Sequence, residues 1–169
     1  MPFKSFFNYL EFEKRYSNHT LISYKNDLNQ FAAFLKDSYE LDQPKLAKHP
    51  FIRSFIVELM NAENTSKTIN RKLSSIKSYY RFLLKEGEIT KNPMDKIVAP
   101  KLPKRLPAFV ESQNIEQLFE EIDFGEGYKA SLDRLIIEML YATGMRRAEI
   151  LNLKSNAVDL SSKTMRVIG

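Results

Sequence analysis

The sequence has 169 residues, a net charge of +5, no cysteine and only two histidines, His19 and His49. This length fits one ordinary domain or two small ones. Without thiols the chain has no disulfide or cysteine nucleophile, and two histidines argue against a zinc site or a Ser-His-Asp triad. Because it has neither a membrane-length apolar run nor the pattern of a signal peptide, we expect a cytoplasmic protein without a membrane partner.

Positive charge is concentrated in one segment of the chain. Residues 65–105 hold eleven Lys or Arg against three acidic residues, which gives a net charge of +8. Residues 1–64 are neutral overall, and residues 106–169 have a net charge of −3. A basic cluster of this kind is the electrostatic signature of a nucleic-acid-binding surface.

Four helical patterns fill the N-terminal part of the sequence. The first, over residues 3–12, is rich in aromatic side chains, and the second follows Ser17, a cap candidate. The third begins at Pro50, a favourable first-turn residue. The fourth covers about 65–86 and is followed by Gly87, which can adopt the left-handed conformation that ends many helices. We therefore predict a bundle of four helices.

The fourth pattern has two opposite faces. Its apolar line consists of Ile69, Leu73, Ile76, Tyr80 and Leu83. The other line is basic and rich in hydroxyls, and consists of Lys67, Arg71, Ser74, Ser78, Arg81 and Lys85, with Lys77 also in this helix. No acid interrupts it before Glu86, whereas a merely solvated face usually mixes both signs. The pattern favours DNA contact: Lys and Arg would bind phosphates, and Asn70, Arg71 and Ser74 could reach base edges in a major groove.

A proline-rich segment, APKLPKRLPA at 99–108, follows the helices. Its three prolines favour an extended strap of about 3 Å per residue. We interpret it as a linker between a DNA-binding helical domain at 1–98 and a second domain at 109–169. Three cations that could also lie across a phosphate backbone are interleaved with the prolines: Lys101, Lys104 and Arg105.

The second domain begins with helical patterns and ends in a strand. A short helix is predicted from Gln113 to Ile122, and a longer one carries Leu132, Leu135, Ile136, Met139 and Leu140. Another helix is predicted from Met145, after a glycine break, and a strand over 164–168. Because one strand cannot form a sheet, we expect this domain to be incomplete in the sequence.

The stretch YATGMRRAEI at 141–150 places two arginines after the glycine. Rotation of a helix that starts at Met145 turns Arg146 and Glu149 partly inward, and turns Arg147 outward. A buried charge is costly unless it is paired or has a function. Arg146 and Glu149 could therefore simply pair with each other, being three residues apart on a helix, or Arg146 could hold a ligand.

YATGMRRAEILNLKSNAVDL, residues 141–160, resembles the first catalytic box of the tyrosine recombinases, or phage integrases, of the XerC/XerD type. The similarity extends in the family's order to SNHTLISYKNDLNQF at 17–31, TINRKLSSIKSYYRFLLKEGEITKNP at 68–93 and PKLPKRLP at 100–107. It implies a mainly α fold. An N-terminal four-helix SAM-like core-binding bundle would be followed by the helical and first-strand opening of an α+β catalytic domain.

The resemblance also implies roles for single residues. Arg146 matches the first of two catalytic arginines that hold the scissile phosphate, and Glu149 matches the acidic residue that supports it. Arg147 has no catalytic counterpart. Thr20, in the segment 17–31, joins the DNA-contact candidates.

In the family a tyrosine forms a 3′-phosphotyrosyl link to DNA without a metal or other cofactor. The lysine, the His-x-x-Arg box and the nucleophilic tyrosine of that site have no match in this sequence. We interpret Tyr79, Tyr80 and Tyr141 as core or DNA-facing aromatic residues. The chain by itself is therefore expected to bind DNA without cutting it. The implied partners are a duplex recombination site and other recombinase protomers, in a homo- or hetero-tetramer.

Three interpretations of the sequence differ in what the chain does. It is the N-terminal part of a recombinase that exchanges strands, a natural truncated DNA-binding or regulatory remnant without catalysis, or a helical interaction protein with no DNA role. For the first, the sequence leaves open whether the protein resolves chromosome dimers or serves a mobile element or an inversion system.

Overall fold

The computed structural model describes residues 2–103 and 112–167. The chain divides into two units, Met1–Arg105 and Leu106–Gly169. The boundary between the units falls within the predicted linker at 99–108. The domain limits of 1–98 and 109–169 remain predictions. Among the helices in the described ranges, none is long and apolar enough to cross a membrane.

Within its described residues, the first unit contains four α-helices, as the sequence patterns predict. Helix α1, Lys4–Asn8, continues into a π-helical turn at Tyr9–Glu13. The other helices of the unit and the short 3-10 turn that precedes α3 are α2 at Asn18–Tyr39, the turn at Pro44–Leu46, α3 at His49–Asn61 and α4 at Ser66–Lys85.

Local hydrogen bonds explain where the two long helices start and where α4 ends. The hydroxyl of Ser17 accepts the Thr20 backbone N–H at 3.4 Å, and the hydroxyl of Thr65 accepts the Thr68 backbone N–H at 3.2 Å. Such side-chain caps satisfy amides that a helix cannot pair by itself. Gly87, with a φ of 72°, follows α4 in the left-handed conformation that the sequence predicts.

The core of the first unit lies between the apolar faces of its helices. The whole predicted apolar line of α4 is buried. Aromatic side chains of α1 and the residue before it close one end of this core, because the rings of Phe3 and Phe6 lie 4.9 and 5.5 Å from the ring of Tyr79. Tyr79 and Tyr80 are 2% and 0% exposed, which confirms their interpretation as core residues. Helix α4 is therefore fixed on one face and open on the other.

Tyr80→Phe tests one polar contact inside this core. The Tyr80 hydroxyl donates to the Pro44 carbonyl oxygen at 2.7 Å, and both residues are buried. Removal of the hydroxyl leaves that carbonyl without its donor, so we expect the free energy of unfolding to fall by about 1 to 2 kcal/mol. Urea unfolding followed by circular dichroism measures the change. Tyr16→Phe, at a residue that is 39% exposed, should be neutral, and an equal effect in both variants would contradict the prediction.

The second unit contains three helices and a small antiparallel sheet within its described residues. Their bounds are α5 at Ser112–Glu121, α6 at Tyr128–Thr143, α7 at Arg147–Leu151, a 3-10 turn at Ser155–Ala157, β1 at Val158–Asp159 and β2 at Thr164–Met165. In the sheet, Val158 pairs with Met165 and Asp159 with Thr164. The sequence prediction missed β1, so the expected lone strand was wrong: Thr164–Met165 pairs with a strand that the chain itself supplies.

Apolar side chains of the second unit remain largely open. Ala130 is the only buried side chain among those described between residues 112 and 167. Leu132 and Leu135, on the predicted apolar line of α6, are 38% and 49% exposed. The fold is thus mainly α, with a closed four-helix bundle followed by an α+β unit whose described part has little core of its own.

Candidate nucleic-acid interface and arginine site

The open side of α4 forms a basic face, defined here by its exposed polar side chains. They are Lys67, Arg71, Ser74, Lys77, Arg81 and Lys85. Lys85 lies 3.6 Å from the Glu13 carboxylate, so one end of this face is partly neutralised. Lys67, Lys77 and Arg81 form no ion pair with any other residue in the described ranges, which leaves positive charge near the start of α4 and on two adjacent turns further along it available to a ligand.

Arg71 differs from the other cations of the basic face because it is bonded to a buried acid. One of its terminal nitrogens, Nη1, lies 2.5 Å from Oδ2 of Asp27 on α2, and the Asp27 side chain is fully buried. Ser75 Oγ donates to the same oxygen at 2.8 Å, and Lys72 Nζ lies 3.3 Å from Oδ1. Lys72 also donates to Gln30 at 2.6 Å. This buried Asp27 cluster ties α2 to α4.

Two consequences follow for Arg71. Its side chain is still 50% exposed, so it can face a ligand while it holds Asp27. Its substitution, however, would disturb the packing of α2 on α4 as well as any ligand contact, which makes it a poor test of DNA binding. Sequence reasoning missed Asp27, although Tyr24, Asp27, Leu28 and Phe31 follow the spacing of one helix face, and an acid on such a face needs a partner.

The polar side chains that were predicted to reach base edges already have contacts inside the unit. Asn70 Nδ2 donates to the Pro100 carbonyl oxygen at 3.0 Å, and Ser74 Oγ donates to the Asn70 carbonyl oxygen at 2.9 Å. Ser78, which is half-buried, lies 3.3 Å from the Tyr24 hydroxyl. Base contact by Asn70 and Ser74 remains a prediction, and the exposed cations are better placed than Ser78 to meet a duplex.

The remaining DNA-contact candidates lie outside α4. Thr20 is half-buried in the first turn of α2, and its hydroxyl is 3.0 Å from that of Ser17. Lys101 is exposed on the strap. Lys104 and Arg105 lie outside the described residues. The structure therefore brings one strap cation and one α2 hydroxyl into the same unit as the basic face.

Arg146 lies just before α7 and is not buried, contrary to the helical rotation. Its backbone is extended, with φ −71° and ψ 149°, because α7 begins only at Arg147. The Arg146 side chain is 83% exposed, whereas that of Glu149 is 13% exposed. The expectation that Arg146 turns inward was wrong, and the physical reason is that Arg146 precedes α7 in an extended conformation and does not lie within the helix.

Glu149 holds Arg146 by two hydrogen bonds. The backbone N–H of Arg146 donates to Oε2 at 2.8 Å, and Nη1 donates to Oε1 at 2.7 Å. These bonds lower the pKa of Glu149, with the backbone N–H as the larger cause and the side-chain bond next. Glu149 therefore stays ionised and fixes the base of the arginine side chain. A guanidinium has five N–H donors, so most of those on Arg146 remain available for an anion.

The two buried tyrosines of α4 are unsuited to act as nucleophiles. Burial, with a smaller contribution from Glu88, raises the pKa of Tyr79 to about 12. Burial also raises the pKa of Tyr80, whose hydroxyl is already bonded to Pro44. Tyr141, in the second unit, is 52% exposed.

Comparison with protein families identifies the two units. Residues 3–87 match the phage integrase N-terminal SAM-like domain, and residues 108–169 match the phage integrase family domain. The chain belongs to the phage integrase family, the tyrosine recombinases. Its four-helix bundle is thus the SAM-like domain of this family, and the Arg146–Glu149 pair lies within the segment that matches the second domain.

Curated relatives of this recombinase chain carry the name tyrosine recombinase XerC. The chain is 34% identical to the protein of Anoxybacillus flavithermus over 164 residues, which is 97% of this chain and 54% of that protein. It is 35% identical to the Staphylococcus carnosus protein over 166 residues, 98% of this chain and 55% of the relative. It thus spans about half the length of these relatives. Among solved structures, the integrase from mycobacterium phage Brujita shares the fold, with a TM-score of 0.54 and 23% identity over 98% of this chain and 53% of that one.

Proposed function

We propose that this chain binds duplex DNA at a recombination site through the basic face of α4. The observation that carries the proposal is the set of three cations without an ion-pair partner in the described ranges, Lys67, Lys77 and Arg81, on the open side of a helix in the SAM-like domain. Phosphate contacts by such cations fix a protein on a duplex, and polar neighbours can then read base edges. Lys101, Lys104 and Arg105 of the strap would add further phosphate contacts.

The second unit supplies a phosphate-binding corner of a strand-transfer site. Arg146 would neutralise the charge that develops on the non-bridging oxygens of the scissile phosphate, and Glu149 would hold its side chain in place. In a full-length protein, cleavage would proceed through a 3′-phosphotyrosyl intermediate, within a tetramer of recombinase protomers on DNA. The 169-residue chain alone would bind without cleaving, because it carries only this corner of the site.

Loss of two cations from the basic face provides the test of DNA binding. Lys77→Gln combined with Arg81→Gln should weaken duplex binding and lower the slope of log K against log salt by about 1.8, since each lost phosphate contact removes about 0.9. Fluorescence anisotropy of a labelled duplex, titrated at several salt concentrations, measures both quantities.

The control removes two lysine charges from another surface, and one of these lysines, Lys36, lies 3.4 Å from the Asp42 carboxylate. Lys25 and Lys36 are exposed on α2, on the side of that helix away from Asp27. Lys25→Gln with Lys36→Gln should leave the salt slope near its original value. If both pairs lowered the slope equally, binding would follow net charge alone and the assignment of the basic face would be wrong.

A further inference from the structure

The Asn70 amide connects α4 to the strap that leaves the first unit. Its Nδ2 donates to the Pro100 carbonyl oxygen at 3.0 Å across 30 residues of sequence, and both residues are partly buried. This is the only hydrogen bond between residues 98–103 and other described residues. Val98 and Leu102, on either side, are 87% and 53% exposed, so little else holds the strap.

The hydrogen bond to the strap lies on the basic side of α4. By helical rotation, Asn70 lies between Lys77 and Arg81 around the axis, so Pro100 of the strap meets α4 on the side that carries the basic face. The Oδ1 atom of Asn70 is buried and has no hydrogen-bond partner in the described part of the chain. A buried acceptor without a donor is unfavourable. The Asn70 side chain nevertheless keeps this orientation, in which its Nδ2 donates to the Pro100 carbonyl oxygen.

One bond can position several residues here because the strap is stiff. Proline fixes its own φ and restricts the residue before it, and Pro100 and Pro103 bracket Lys101. Lys101 is exposed and directly follows the carbonyl that Asn70 holds. Its ammonium group therefore projects from a segment that is fixed to the basic face.

We propose that Asn70 is a positioning residue for DNA binding: it holds the strap on α4 and so makes Lys101 part of the same phosphate-binding surface. This inference rests on the proposed function, because it assumes that the basic face meets a duplex. It also changes the role of Asn70, whose amide acts on the protein's own backbone and not on a base.

A double-mutant cycle between Asn70 and Lys101 tests the proposal in the whole chain. Asn70→Leu keeps the size and charge of the side chain and removes the donor. Lys101→Gln alone should lower the salt slope of duplex binding by about 0.9. Asn70→Leu alone should lower it by about the same amount, and the double variant should show no further loss, because an unpositioned Lys101 makes no contact to lose. Ser74→Ala, one turn along the same face, is the control: in its presence, Lys101→Gln should still lower the salt slope by the full amount.

Cleavage by a lysine-specific protease without DNA gives a second readout. Loss of one hydrogen bond should speed cleavage after Lys101 by about 2- to 10-fold in Asn70→Leu, with an unchanged thermal midpoint. The positioning role of Asn70 would be wrong if the two substitutions lowered the salt slope additively in the double variant. It would also be wrong if Asn70→Leu left the cleavage rate unchanged. In either case the proposed function would stand, provided that the chain still bound the duplex. If the unsubstituted chain bound no duplex, the proposed function and the DNA role of Asn70 would both be wrong, even with faster cleavage.

Discussion

In a full-length recombinase that contains this sequence, Arg146→Ala should reduce formation of the covalent protein–DNA complex by about 100- to 1,000-fold. Binding of the recombination site should stay close to that of the unsubstituted protein, since Arg146 is not part of the basic face. The reason is that a guanidinium held by Glu149 donates to the phosphate oxygens, where negative charge develops during transfer. A suicide DNA substrate, which traps the covalent intermediate, gives the measurement.

Two neighbouring variants sharpen this test. Arg147→Ala removes an exposed cation one residue away and should leave covalent complex formation nearly unchanged. Glu149→Gln keeps the size of the side chain but weakens its bonds to Arg146, so its effect should lie between those of the two arginine variants. Normal amounts of covalent complex with Arg146→Ala would show that the arginine has no role at the phosphate.

Asp27→Ala should lower the free energy of unfolding of the first unit by about 2 to 3 kcal/mol. Removal of one partner of a buried ion pair costs about 3 to 5 kcal/mol in typical cases. The lower value is expected because Arg71 is half-exposed, so that water can solvate it, whereas Lys72 is only 12% exposed and loses its buried partner. Urea unfolding, followed by the near-UV circular dichroism of the buried tyrosines, measures the change.

Asp37→Ala is the matched control for Asp27→Ala. Asp37 lies on the same helix, α2, but is exposed to solvent and forms no ion pair with another described residue. Its substitution should change the free energy of unfolding by less than about 0.5 kcal/mol. Equal unfolding midpoints for the two variants would mean that the Asp27 cluster does not stabilise the packing of α2 on α4.

The fold of the first unit could be predicted from sequence because its local signals agree. Ser17 and Thr65 cap the helices that follow them, and Gly87 adopts the left-handed conformation after α4. The apolar line of α4 is buried and its basic line is mostly open. Each of these features depends on residues within a few turns of one another, which is the range over which periodicity and capping are informative.

The features that sequence reasoning missed depend on contacts across the chain or on exact helix starts. Asp27 bonds to residues more than forty positions away, and Asn70 bonds to a carbonyl thirty residues later. A helix that began at Met145 would turn Arg146 inward, whereas the Thr143 hydroxyl accepts the Met145 backbone N–H and the helix starts two residues later. A residue just outside a helix does not follow the rotation of that helix.

Strand β1 was missed for a related reason. Val158–Asp159 is too short to show alternation, and its pairing with Thr164–Met165 depends on the turn between the two strands. In that turn the Asp159 carboxylate accepts hydrogen bonds from Ser161 and Ser162, which lower the pKa of Asp159. Side-chain bonding of this kind stabilises turns but leaves only a weak pattern in the sequence.

Lysine footprinting on a duplex tests the central claim most directly. The chain is acetylated with and without a recombination-site duplex, and the modification of each lysine is measured by mass spectrometry. We expect the duplex to protect Lys67 and Lys77 on the basic face, while Lys25 and Lys36, on the side of α2 away from Asp27, stay as reactive as before. Equal reactivity of all four lysines with a saturating duplex would contradict the claim that this recombinase chain binds DNA through α4.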